Sequence, residues 1–196
     1  MKKNSIFVGL IFLSINWLGL EGCSPSYVKL PVAFDSTSAK NQLKPGPYGI
    51  AGKILFEPDK GHALAYPDSF VSCAGYEVTL IPYTDFAREW ALSYFGKPVT
   101  DVSYRLTKRG RQINFAEFEQ FMEVTKKTQC DEQGIFNFFK VAKGDYYLLA
   151  RVQWLGKDEA KYQFGYAPED IDEEDGFVIK KFTVSNTDVS LTGPWP

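Results

Sequence analysis

One stretch, Asp131 to Ala150, narrows the folds open to this chain more than any other. Gly134, Phe136, Phe138 and Val141 lead to a turn at Ala142 to Gly144, and Tyr146, Leu148 and Ala150 follow it. Successive side chains of a strand point to opposite faces, so a period of two puts Phe136 and Phe138 on one apolar face. Tyr146, Leu148 and Ala150 continue that face across the turn. Gly144 supplies the permissive backbone that such a turn requires. The stretch predicts a strand, a turn and a second strand.

Similar alternation recurs elsewhere. Ile50, Gly52, Ile54 and Phe56 share one side of a strand from Gly49 to Phe56, and a second strand covers Gly75 to Ile81, stopped by Pro82. Phe177 to Val184 and Val189 to Thr192 read as two last strands. Aromatic residues make up 16% of the chain, with Gly 16 and Pro 11, a composition that favours strands with well-marked turns. The period changes between Thr84 and Phe95. Phe86, Trp90 and Tyr94 are spaced four apart, Thr84 or Asp85 can cap the start, and Gly96 follows the end, which predicts one helix. Its aromatic stripe is expected to pack on the sheet rather than to form a ligand platform.

Residues 97 to 118 leave alternatives open. Val102, Tyr104 and Leu106, then Ile113 and Phe115, alternate around Lys108-Arg109-Gly110-Arg111, as a hairpin with a basic tip or an irregular excursion. A strand-like stretch ending near Cys130 follows, with a short helix over Ala116 to Glu123 as competitor. Pro58 to Ser69 is turn-rich, Gly156 to Ala167 is a loop or irregular hairpin, and the acidic run Glu169 to Asp175 reads as a solvated loop. Its spacing does not match a calcium-binding EF-hand loop. The last residues end with Trp195, read as exposed.

The order Asp131, Gly134, Phe136, Phe138, then Gly144, Tyr146 and Leu148 resembles the signature of carboxypeptidase regulatory-like domains. The segment Cys73-Ala74-Gly75 to Ile81-Pro82, followed by Tyr83, Thr84, Phe86, Ala87 and Trp90, is similar to a bacterial subgroup with a helix after the second strand. The resemblance covers residues 49–192. It implies a mainly β fold, a transthyretin-like Greek-key β-sandwich with one helix inserted after the second strand. Such domains serve as accessory, adhesive or scaffolding modules, so the resemblance speaks to fold more than to function.

The N-terminus resembles that of a bacterial lipoprotein. Lys2 and Lys3 precede an apolar run, Ile6 to Leu13, too short and polar-spotted for a permanent span, and the run leads to Leu20-Glu21-Gly22-Cys23. Glu21 departs from the small uncharged residue usual there. By resemblance, residues 1–22 are a signal peptide, Cys23 becomes the lipid-carrying first residue, and residues 23–48 form a linker leading the domain from the membrane. Ser24 after the cysteine implies an outer-membrane address facing the periplasm in a diderm host. The remaining thiols, Cys73 and Cys130, are then expected to pair as a disulfide in that oxidising compartment.

Catalytic chemistry has little to build on. The chain has 1 His, His62 in a loop, no serine in a Gly-x-Ser-x-Gly elbow, too few ligands for an N/S zinc site and no glycine-rich phosphate loop. Hydroxyisourate hydrolases share the transthyretin-like fold but use several His and Arg and a C-terminal Tyr-Arg-Gly-Ser, whereas this chain ends Leu191-Thr192-Gly193-Pro194-Trp195-Pro196. A formal net charge of −2 argues against nucleic acid as partner. The reading is a non-catalytic, lipid-anchored envelope protein without cofactor or metal, docking on another envelope protein. The alternative is a carbohydrate- or peptidoglycan-binding module using the loop aromatics Tyr162, Phe164 and Tyr166, with Trp154 and Trp195 as further aromatic candidates.

Overall fold

The turn from Ala142 to Gly144 carries the chain from one β-sheet to another. The computed structural model describes residues 27–57, 70–107, 114–157 and 171–195. In chain order these form β1 (Tyr27–Val28), α1 (Ser36–Gln42), β2 (Tyr48–Phe56), β3 (Val71–Ser72), β4 (Glu77–Pro82), α2 (Asp85–Phe95) and β5 (Val102–Leu106). There follow β6 (Asn114–Phe115), α3 (Phe118–Glu123), β7 (Lys126–Gln129), β8 (Ile135–Val141), β9 (Gly144–Lys157), β10 (Ile171–Val184) and β11 (Val189–Trp195). The larger sheet is antiparallel in the order β5-β10-β9-β4-β7. In the smaller one, β2 pairs with β11 in parallel and with β3 and β8 antiparallel. The fold is mainly β, a two-sheet sandwich, and α2 follows β4 as the sequence predicts.

β8 pairs with β2, whereas β9 pairs with β4 and β10, so the strands on either side of the turn do not pair with each other. The expected shared face is instead two opposed walls of one core. Ile50, Ile54, Phe56, Phe136 and Phe138 lie on one wall, and Val78, Leu80, Tyr146, Leu148 and Ala150 on the other, all buried. Gly144 takes φ +150°, a backbone that side-chain-bearing residues rarely adopt.

A second core covers the opposite face of the larger sheet. Phe86, Ala87, Trp90 and Ala91 of α2, with Phe121 of α3, pack over Ile81, Tyr147, Leu149 and Ile179. β4 is therefore buried on both faces, and Val78 to Pro82 are all buried. The cap of α2 matches expectation. Thr84 Oγ1 accepts the Ala87 N–H at 3.1 Å, and Gly96 ends the helix at φ +73°.

Several expectations need correction. Packed structure starts well before Gly49, within the supposed linker 23–48. β1 pairs in parallel with β6, Asp35 caps α1, Leu30 and Ala39 are buried, and Phe34 meets Phe86 and Phe121 at 5.1 and 5.9 Å between ring centroids. A polar composition hid this because only a few apolar side chains anchor the segment. Among the described residues, β5 and β6 do not pair with each other: β5 pairs with β10, and β6 with β1. The competing short helix is present as α3, and the strand-like stretch as β7. Residues 171–175 of the acidic run belong to β10 rather than to a loop, because their backbone completes the ladder with β9. Trp195 is 3% exposed, its ring closing the sandwich core from β11.

Candidate ligand pocket

Strand register assembles the site. Across the larger sheet, Glu77 lies opposite Gln129, and Thr79 opposite Lys127 and Leu149. Phe177 in turn lies opposite Arg151 and Arg105. These positions share the face that carries α2 and α3. The helices seal the part of that face around Ile81, Tyr147 and Ile179, and beyond it a cavity of about 330 Å³ remains. Thr79, Leu149 and Phe177 line it from the strands, together with Tyr76, Glu77 and Arg151. Trp90 and Tyr94 of α2 and Phe118 and Met122 of α3 complete the lining.

The aromatic wall is tightly organised. Trp90 stacks on Tyr94 with centroids 5.6 Å apart and planes 14° apart, and Phe118 lies 6.4 Å from Trp90. Phe177 meets Tyr94 edge-on at 6.1 Å. The Arg105 guanidinium sits 4.6 Å from the Tyr94 ring centroid and donates to the Tyr94 carbonyl oxygen. Burial raises the Tyr94 phenol above its ordinary pKa, Arg105 opposes that rise, and Asp175 adds to it. The phenol is thus a neutral hydroxyl at physiological pH.

Charged groups alternate beside the wall. Glu77 Oε1 accepts Lys127 Nζ at 3.0 Å and the Thr79 hydroxyl at 3.3 Å. Arg151 donates through Nε and Nη2 to Asp175 Oδ2, at 2.9 and 2.8 Å, and its guanidinium lies 5.2 Å from the Tyr76 ring centroid. Trp90 is 2% exposed, and among the described residues its indole N–H is buried without a hydrogen-bond partner. A buried donor left unpaired carries a desolvation cost. The pocket is lined by aromatic rings, among which Phe118 is 40% exposed, and by ionic groups along one side. Among the described residues, no group of three or more His, Cys, Asp and Glu is gathered to hold a metal ion.

The disulfide lies at the edge of this site. Cys73 and Cys130 are bonded, with Cα atoms 5.8 Å apart. Tyr76 N–H donates to Cys73 O at 2.8 Å and Cys130 N–H to Tyr76 O at 3.0 Å, so the bond clamps the turn that presents Tyr76.

The pocket is not where the sequence placed sugar-binding aromatics. Tyr162, Phe164 and Tyr166 lie outside the described residues, as do Cys23, His62 and the basic tip Lys108 to Arg111. Trp154 and Trp195 are core residues, 7% and 3% exposed, and offer no open ring face, a correction to their candidacy. The helical stripe is core as expected at Phe86 and Trp90, yet Trp90 and Tyr94 also line the cavity. Phe177 and Arg151 escape sequence reasoning because cross-strand register, which no local spacing reveals, brings them together, and Phe118 because the packing of α3 beside α2 does.

No protein-family profile matches the chain, and no curated protein sequence does either. By structure, the chain is similar to a crystal structure from Pseudomonas aeruginosa provisionally named a carbohydrate binding protein, with a TM-score of 0.57 and 18% sequence identity. The match covers 84% of this chain and 99% of that one, a likeness of fold across nearly all of the described sandwich.

Proposed function

We propose that this chain is a non-catalytic carbohydrate-binding module of the bacterial cell envelope, tethered to a membrane by lipid on Cys23. The observation that carries the proposal is the cavity over the larger sheet, to which α3 presents the 40% exposed ring of Phe118 beside Tyr94, with Glu77, Thr79 and Arg151 in the lining. Sugars present apolar C–H faces edged by hydroxyls, and a mostly aromatic pocket with a few placed polar groups complements both. The provisional name of the structural neighbour supports the same reading. So does the resemblance of residues 49–192 to accessory domains found on bacterial lipoproteins. This reverses the order suggested by sequence, where docking on an envelope protein stood first. The test is calorimetric titration of the purified protein with soluble oligosaccharides, repeated with Phe118→Ala. Saturable binding weakened by that change is the expected result, and absence of binding to any saccharide counts against the reading.

One observation favours the protein-docking alternative. Phe139 of β8 is 76% exposed, and Ile135 of the same strand is 40% exposed. Both lie at alternate, outward positions of one strand, where they could form part of an apolar contact patch. Phe139→Ser should abolish capture of an envelope partner by the lipidated protein while leaving oligosaccharide binding intact.

A further inference from the structure

We infer that the end of β8 around Phe139 and Lys140 is a docking surface for an anionic lipid bilayer. The inference goes beyond the carbohydrate reading and does not rest on it. Phe139 stands 76% exposed on the outer face of the smaller sheet. The backbone is built to hold it there. Tyr48 lies opposite Val141 and Ile50 opposite Phe138, so Phe139 and Lys140 together face the single residue Gly49. That is a β-bulge, which re-aims side chains away from the regular pleat. Lys140 adopts φ +55°, the one left-handed backbone outside glycine among the described residues. A lysine gains nothing locally from that conformation, and such strain is concentrated at sites of contact and binding.

Positive charge gathers around the ring. Lys126 Nζ donates to the Lys140 carbonyl oxygen at 2.8 Å, and Gly46 N–H donates to the same oxygen at 3.1 Å, which brings Lys44 alongside. Lys143 follows in the turn to β9, and Lys44, Lys140 and Lys143 are all exposed. Two carboxylates border the patch, and both are engaged. Asp188 Oδ1 accepts the Gly49 N–H at 2.7 Å, and Asp145 Oδ1 accepts the Thr183 hydroxyl. Four lysines around one protruding aromatic complement a bilayer surface, where phosphate headgroups pair with the ammonium groups and the ring enters the interface. A protein partner would have to offer a pocket shaped to Phe139, whereas lipid closes around the ring without one.

The test reconstitutes the full-length protein into vesicles of phosphatidylcholine, alone or mixed with phosphatidylglycerol. Hydrogen exchange read by mass spectrometry follows peptides covering Phe136 to Gly144. The expected result is slower exchange of that segment in the anionic vesicles, reversed by salt that screens the lysines. Phe139→Ser and, separately, Lys143→Gln should each restore part of the exchange while melting curves stay unchanged. A lysine at such a surface contributes about 1 kcal/mol, so Lys143→Gln should raise the undocked fraction about fivefold. Equal exchange in the two vesicle types overturns the inference, as does a slowing that both variants leave untouched. A slowing that appears only when solubilised envelope proteins are added gives the face to a protein partner and equally overturns it. Saccharide binding at the pocket is measured separately and stands or falls without this result.

Discussion

The Tyr146 hydroxyl lies 3.1 Å from the carbonyl oxygen of Gln42, 104 positions earlier in the chain, and 3.0 Å from that of Ala142. Gln42 answers with its own side chain, whose Nε2 donates to Asp145 O. The N-terminal segment that carries β1 and α1 is thereby fastened to the first turn of β9. Composition alone suggests a linker there; hydrogen bonding makes it part of the domain.

Burial pushes the Tyr146 phenol up to about 12 from its ordinary value of 10.0. The folded state therefore favours the protonated form. Its contribution is complete below pH 10 and is lost as pH rises through the folded value. Thermal melts from pH 8 to 11.5 should show stability falling above pH 10, and Tyr146→Phe should flatten that fall. At pH 7 the same variant should lose about 1 kcal/mol, the net worth of one hydrogen bond. A fall of equal steepness in Tyr146→Phe would assign the titration to other groups.

At the pocket, two neighbouring aromatics should respond differently. Trp90 is a core residue as well as a lining one, so Trp90→Ala should cost about 3–5 kcal/mol and compromise folding. Phe118 is 40% exposed, and Phe118→Ala should cost less than about 1 kcal/mol by denaturant titration. It should nonetheless weaken oligosaccharide binding several-fold. A Phe118→Ala protein that binds as the parent does would remove α3 from the site.

How much of this was legible beforehand follows from the range of each interaction. The helix from Asp85 to Phe95 and the strand from Tyr48 to Phe56 declare themselves through caps and short periods, which are local. β4 is harder to read, because burial on both faces replaces alternation with the continuous run Val78 to Pro82. The swap of sheets between Val141 and Gly144 leaves no trace in the apolar pattern, since both strands face one core whichever sheet holds them. The pocket was invisible for a related reason. Arg151 and Phe177 are opposite partners only once β9 and β10 are in register, and Phe118 reaches Trp90 only when α3 packs beside α2.

Lipid on Cys23 would hold the domain close to its membrane. Cys23 precedes Tyr27, the first residue of β1, by four positions, a reach of at most about 14 Å for extended chain. Mass spectrometry of the mature N-terminus should find residue 23 acylated and residues 1–22 absent. Cys23→Ser should release the protein from membranes or leave an unprocessed precursor. An unmodified cysteine at that position removes the tether from the proposed function.

The disulfide should matter to both stability and binding. It closes a loop spanning 57 positions, from Cys73 before β4 to Cys130 after β7. On the chain-entropy account, restricting the unfolded chain over that span contributes about 4 kcal/mol. For a domain of this size each kcal/mol moves the melting temperature by roughly 2–4 °C, so Cys73→Ala with Cys130→Ala should melt about 8–16 °C below the parent. The fold should persist, because the ladder between β4 and β7 and the bond from Cys130 N–H to Tyr76 O do not depend on the sulfurs. The turn carrying Tyr76 would be less firmly held, however, and Tyr76 lines the cavity beside Arg151. Oligosaccharide affinity should therefore fall in the double variant even at temperatures where circular dichroism shows it fully folded. Thiol counting on the denatured, non-reduced parent gives the direct check, and two free thiols from this pair would exclude the bond. An affinity equal to the parent's in the folded double variant would show that the clamp serves stability alone.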